Sequence, residues 1–158
     1  VVEVTTTPGS ADVLPERAAL LGYAGLLPFL ACAVALLLPE AGLREAAARL
    51  LPGYGAVILS FLGGVHWGLV LRSPSPRAPA LLAIGVLPSL AGWLSLLLPL
   101  EKALAAQVAV FGAFWLYEHR VLGPGVIPPA YLAMRRWLTL VAIAALGLAT
   151  MAPSLVTS

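Results

Sequence analysis

Residues 52–72 read PGYGAVILSFLGGVHWGLVLR, and no charge falls between Tyr54 and Leu71. A helix of that length crosses the hydrocarbon core of a bilayer. Ala56, Ser60, Gly64 and Gly68 recur every four residues, so on a helix they fall nearly in line on one face. This spacing predicts a small-residue seam along which a neighbouring backbone packs closely. The same span holds His66, one of two histidines, followed by Trp67. An ionisable group in an apolar span is costly unless paired. Two positions separate His66 from Gly64 and from Gly68, roughly 200° around a helix. It therefore requires a partner off the seam: a hydroxyl, a backbone carbonyl or Glu118. A helix buried on two sides belongs at the centre of a bundle.

The rest of the chain fits that frame. Its 158 residues are 61% hydrophobic and 10% charged, with mean hydropathy +0.99. Soluble domains carry roughly 25% charged residues, so the solvent for this surface is lipid. Two excess positive charges are too few and too dispersed for a nucleic-acid footprint. The single Cys32 excludes an internal disulfide or a cysteine metal cage and reads as a small apolar filler.

In chain order, residues 1–16 predict a flexible tail. Residues 18–38 form the first uncharged run. Glu3, Asp12 and Glu16 stand before it against a single Arg17, which argues for a retained span over a signal peptide. Residues 39–49 read as a short polar connection, with AGLREAAARLL suited to a brief interfacial helix. Further spans are expected at 53–71, 78–100, 103–117 and 137–156. SPSPR (73–77) forms a tight loop, and residues 118–136 form the longest one. The expected fold is an all-α integral membrane bundle of five transmembrane helices. Residues 17–157 form one domain, with lipid as its first partner and a second membrane protein or another copy of the chain as a further one.

Lys and Arg number six on the side of the N-terminal tail and three on the other. The positive-inside rule then places the N-terminus in the cytoplasm.

The first and third spans also resemble each other at an offset of sixty residues. Gly25, Pro28 and Pro39 recur as Gly85, Pro88 and Pro99. This is consistent with a parallel repeat about the membrane normal, or with coincidence in low-diversity apolar sequence. Pro28 and Pro88 each fall about 16 Å into their spans and predict kinks at mid-bilayer.

Several stretches carry a family resemblance: Leu21-Gly22 through Phe29, Tyr54-Gly55 through Gly68, Pro88 through Trp93, and Tyr131 through Arg135 with Leu138-Thr139. They resemble the motifs of the domain of unknown function 3429 family, which is similar to the eukaryotic transmembrane protein 69. The second-span motif is the specific part, and the family's acidic position after the fourth span falls at Glu118. The resemblance implies a multi-span inner-membrane protein, which sets the chain in a bacterial inner membrane, and it carries no activity, ligand or catalytic residue.

Candidate polar residues gather toward one membrane face: His66, Arg72, Glu118, His119 and Arg135, with aromatic residues around them. They read either as a shallow vestibule for protons, an anion or a lipid headgroup, or as one histidine hydrogen bond with anchoring arginines. No phosphate-binding glycine loop, no histidine pair at i, i+4 and no carboxylate pair within a span occurs in the sequence, so no cofactor, metal or catalytic set is expected. Three functions remain open. One is a non-enzymatic packing or assembly protein, another a transporter or channel component for a small solute or proton. The third is a lipid-modifying enzyme using His66 and Glu118.

Overall fold

The structure is a computed structural model that describes residues 16–72, 76, 78–122 and 127–151, without the side chains of Glu16, Ala18 and Arg72. The expected N-terminal tail, most of the SPSPR loop, the GPG turn and the end of the fifth span lie outside the described residues. Within them the chain forms α1 (Glu16–Ala24), α2 (Leu27–Leu37), α3 (Ala41–Arg72), α4 (Ala78–Ser95), α5 (Leu100–Tyr117) and α6 (Pro129–Thr150). A π-helical turn, Glu118–Leu122, continues α5. No strand occurs among the described residues.

Among the described residues, four stretches are long and apolar enough to cross a membrane: 19–37, 41–71, 78–95 and 129–150. The protein is a multi-pass membrane protein of helical-bundle class. Large apolar side chains such as Leu71, Leu97 and Phe61 stand exposed on its outside, as expected where lipid is the solvent. α5 is not among the four stretches, because Glu101, Lys102 and Gln107 lower its hydropathy. It still crosses the bundle: Gln107 meets Pro52 and Ser95 at one level, and Glu118 meets His66 and Arg135 at another. The eleven helical steps from Gln107 to Glu118 span about 16 Å.

Helix boundaries differ from those expected in three places. The polar stretch 39–49 is not a separate connection: most of it belongs to α3, one helix of 32 residues with Pro52 inside it. At about 1.5 Å per residue that is about 48 Å, longer than the roughly 30 Å hydrocarbon core. Its first turns carry the exposed i, i+4 pair Glu45–Arg49, 3.5 Å apart. α6 begins at Pro129, eight residues before the expected 137. Pro128 caps it and Pro129 opens it, a first-turn position that needs no amide proton. The charges of Arg135 and Arg136, read from sequence as loop residues, lie inside this helix. Lastly, α4 stops at Ser95, and residues 96–98 turn the chain into Pro99, the N-cap of α5.

The two prolines of the sequence repeat sit differently. The first span breaks at Gly25-Leu26, and Pro28 occupies the first turn of α2. The carbonyl of Gly25 at this break accepts a 2.8 Å hydrogen bond from the Tyr54 hydroxyl. α4 runs unbroken through Pro88.

Packing explains the architecture. α2, α3, α5 and α6 share one apolar core, with Phe29 and Leu36 from α2, Leu59 and Leu62 from α3, Phe111 from α5 and Leu146 from α6. α4 lies against α3 on another side and approaches through glycines. A methyl group placed on Gly63 would collide with the carbonyl of Gly85. One placed on Gly92 would lie 3.1 Å from the Cα of Ala56. The close seam is therefore Ala56–Gly63 against Gly92–Gly85, in antiparallel register. This corrects the expected seam. Ala56 belongs to it, but Ser60, Gly64 and Gly68 are exposed, and nothing lies within 4 Å of a methyl at Gly64 or Gly68. One residue along a helix is a 100° turn, so Gly63 faces α4 while Gly64 faces outward.

Candidate functional site

The buried stripe of α3 runs through Leu51, Leu59, Leu62, His66 and Val70. Helical periodicity thus carries His66 inward with the leucines. The buried stripe of α5 runs through Leu104, Gln107, Phe111 and Phe114, and the π turn extends it to Glu118. The amide of Glu118 donates to the carbonyls of Phe114 and Trp115. π turns within helices recur at functional sites. α6 contributes Leu132, Arg135, Thr139, Ala142 and Leu146 on one face.

These stripes meet at Glu118, which is fully buried, as is His66; Arg135 is 2% exposed. Arg135 Nε lies 3.0 Å from Glu118 Oε2, and His66 Nε2 lies 3.4 Å from Glu118 Oε1. The first is an ion pair and the second a contact between imidazole and carboxylate, and the angles of both fall outside hydrogen-bond geometry. Nη1 of Arg135 donates to the hydroxyl of Thr139, one turn further along α6. The imidazole of His66 packs against the rings of Phe114 and Tyr117, with centroids 4.9 and 6.0 Å away. One carboxylate is therefore held between a guanidinium and an imidazole, each on a different helix. Removing one partner of such a pair strands a charge and costs about 3–5 kcal/mol.

His119 does not join this cluster: its ring packs at a tilt beside Trp115, with centroids 5.1 Å apart. With Arg136 it lines a second, more open cavity of about 300 Å³. Arg136 itself lies 5.7 Å from the ring of Trp137, an interfacial arrangement. Arg72 ends α3, and its side chain lies outside the described ones. Cys32 is half-buried and unpaired. Among the described residues no three His, Cys, Asp or Glu side chains gather as a metal site.

Two features had no counterpart in the sequence reading. Gln107, fully buried, donates to the carbonyl of Pro52 at 2.8 Å and to the hydroxyl of Ser95 at 2.9 Å. Ser95 in turn donates to the carbonyl of Gly92 at 2.6 Å. Gly55 leaves the room for this amide, because a methyl there would collide with Gln107. The signal available in the sequence was a single glutamine in an apolar helix. The second feature is a cavity of about 470 Å³ bounded by α1, α2, α3, α5 and α6. Its wall is apolar except at Tyr131 and Arg135.

Comparison with known proteins is consistent with this architecture. Over 136 residues, 82% of the chain, it is 32% identical to transmembrane protein 69 of Xenopus tropicalis, covering 51% of that protein. Over 85 residues, 52% of the chain, it is 35% identical to transmembrane protein 69 of Mus musculus, covering 34% of it. The chain thus spans about half of the first relative's length and about a third of the second's. No solved structure matches. Residues 14–151 match the family described as a protein of unknown function, DUF3429, and the chain belongs to that family.

Proposed function

We propose that the protein is a non-enzymatic membrane protein that packs against, or helps assemble, another membrane component. The closure of the Glu118 cluster supports this reading. A general acid or base must come within hydrogen-bond reach of its substrate, and charges on an ion path face a water-filled cavity. Here His66 and Glu118 are fully buried and face each other and Arg135, with Phe114 and Tyr117 beside the imidazole. These contacts hold α3, α5 and α6 in register.

The cluster end of the bundle is proposed to face the cytoplasm of a bacterial inner membrane. Arg17, Arg72, Arg77, Arg120 and Arg136 lie in or beside the segments at that end, against Arg44, Arg49 and Lys102 at the other. Arg135 does not enter this count, because it is paired inside the bundle.

The test is reconstitution into liposomes containing a pH-sensitive dye. Under an imposed proton gradient the wild-type protein and His66→Ala should leave the dye trace at the level of empty liposomes. A proton flux that His66→Ala abolishes would overturn the reading and favour a transporter. In mild-detergent extracts the protein should migrate in a complex larger than its own micelle; migration as a lone chain would count against an assembly role.

A further inference from the structure

The 470 Å³ cavity has a shape and a polarity that the packing role does not use. On α6 it reaches from Tyr131 to Ala142, eleven residues or about 16 Å along the helix axis. Its volume lies within the range of about 300–1,000 Å³ typical of small-molecule sites. Tyr131 and Arg135 lie two and six residues from the start of α6, so the polar end sits near the membrane face. The opposite end, around Phe29, Ile58 and Ala142, lies deeper in the bundle. This is the orientation of a lipid-like molecule, with its head toward the interface and its tail inward.

The chemistry of the head follows from Arg135. Its Nε faces Glu118 and its Nη1 bonds Thr139. Its buried Nη2 has no hydrogen-bond partner among the described residues, and Arg135 forms part of the cavity wall. A buried donor without a partner is costly, more so when charged, and an acceptor oxygen on a ligand would remove that cost. Glu118 already neutralises the guanidinium, and a second anion would lie beside that carboxylate in a medium of low dielectric. A neutral acceptor fits and an anion does not.

We infer that this cavity binds a neutral, apolar-chained molecule through a terminal carbonyl oxygen, with the carbonyl at Arg135 and Tyr131 and the chain running toward Ala142. Two membrane constituents present that chemistry: the quinone head of an isoprenoid quinone and the ester carbonyl of a glycerolipid.

The experiment is thermal unfolding of the full chain in detergent, titrated separately with decylubiquinone, a dioctanoylglycerol, decanoate and decane. A site that binds the folded state raises the unfolding midpoint saturably, by roughly 5–10 °C at about a hundredfold excess over Kd. The rise is expected with the quinone, the glycerolipid or both, and the pattern identifies the source. Ala142→Phe fills the tail end and Leu138→Trp the middle of the cavity, and neither replaces a member of the ion cluster. Either one, if it retains wild-type helicity and its ligand-free transition, should abolish the rise. An equal rise with decane would refute the carbonyl contact. A rise with decanoate alone would refute the neutral head. No rise with any probe, or a rise unchanged in both folded filling variants, would overturn the site.

Discussion

Gly85→Ala is the sharpest test of how α3 and α4 meet. A methyl group at Gly85 would sit 2.8 Å from the carbonyl oxygen of Gly63, 3.1 Å from Cδ1 of Trp67 and 3.3 Å from Cβ of His66. Ordinary contact begins near 3.4 Å, so the backbones must part by about 0.6 Å. A radial gap of that size forfeits roughly a quarter of each dispersion contact it opens. Lipid supplies no hydrophobic drive between helices, and such contacts hold the pair together. Overpacking costs about 1–3 kcal/mol, offset by up to about 1 kcal/mol from the better helix propensity of alanine. Gly85→Ala should thus lower stability by about 1–2 kcal/mol, and Gly63→Ala by more, since its methyl collides with the backbone of Gly85. Gly64→Ala meets nothing within 4 Å and should be neutral or stabilising by up to about 1 kcal/mol. The assay is reversible SDS-induced unfolding in mixed micelles. It can be read by tryptophan fluorescence, to which Trp67 contributes from the seam itself, its indole N–H donating to the Leu82 carbonyl at 3.2 Å. Equal losses at Gly63 and Gly64, or a harmless Gly63→Ala, would refute the register.

Glu118→Gln leaves Arg135 buried beside a neutral amide and should cost about 3–5 kcal/mol in the same assay, with much of the loss recovered when Arg135→Met is added. Gln107→Leu removes two hydrogen bonds, to Pro52 and Ser95, and should cost about 1–3 kcal/mol; Ser95→Ala should cost less. Reporter fusions in the loop before α4 and in the loop after the π turn should be active in the cytoplasm. Activity of both on the opposite face would reverse the proposed orientation.

Much of the fold follows from apolar length and charge counting, and the departures have identifiable causes. Window counting treats every charge as a boundary, which placed Arg135 outside the membrane and delayed α6 to residue 137. The buried pair with Glu118 offsets the cost that window counting assumes. The small-residue row in α3 was ambiguous because Ala56 belongs to two rows, one through Gly64 and one through Gly63. Sequence spacing within one helix does not choose between them. The choice lies in α4, where Gly85 and Gly92 repeat the same spacing of seven as Ala56 and Gly63, a match that becomes visible only when the helices are compared as an antiparallel pair. The partner of His66 was within reach because the sequence after residue 52 holds only two carboxylates, Glu101 and Glu118, and Glu101 falls at the other end of the bundle. Gln107 and the cavity were not, since each depends on how four or more helices close around it.

A chain this apolar nevertheless buries His66, Ser95, Gln107, Glu118, Arg135 and Thr139, and their placement has a physical reason. Apolar side chains face lipid and protein with little preference, so leucine-rich helices can slide or rotate against one another at small cost. Directional polar contacts remove that freedom. Gln107 pins one end of α5 to α3 and α4, and Glu118 pins the other end to α3 and α6. Between the two ends the contacts are apolar and tolerate a void. Of the Glu118 cluster, Arg135 is the member that also borders that void. Cluster and cavity are therefore separable by mutation: Glu118→Gln should weaken the fold whether or not a ligand binds, whereas Ala142→Phe should block the cavity while leaving the ion contacts in place.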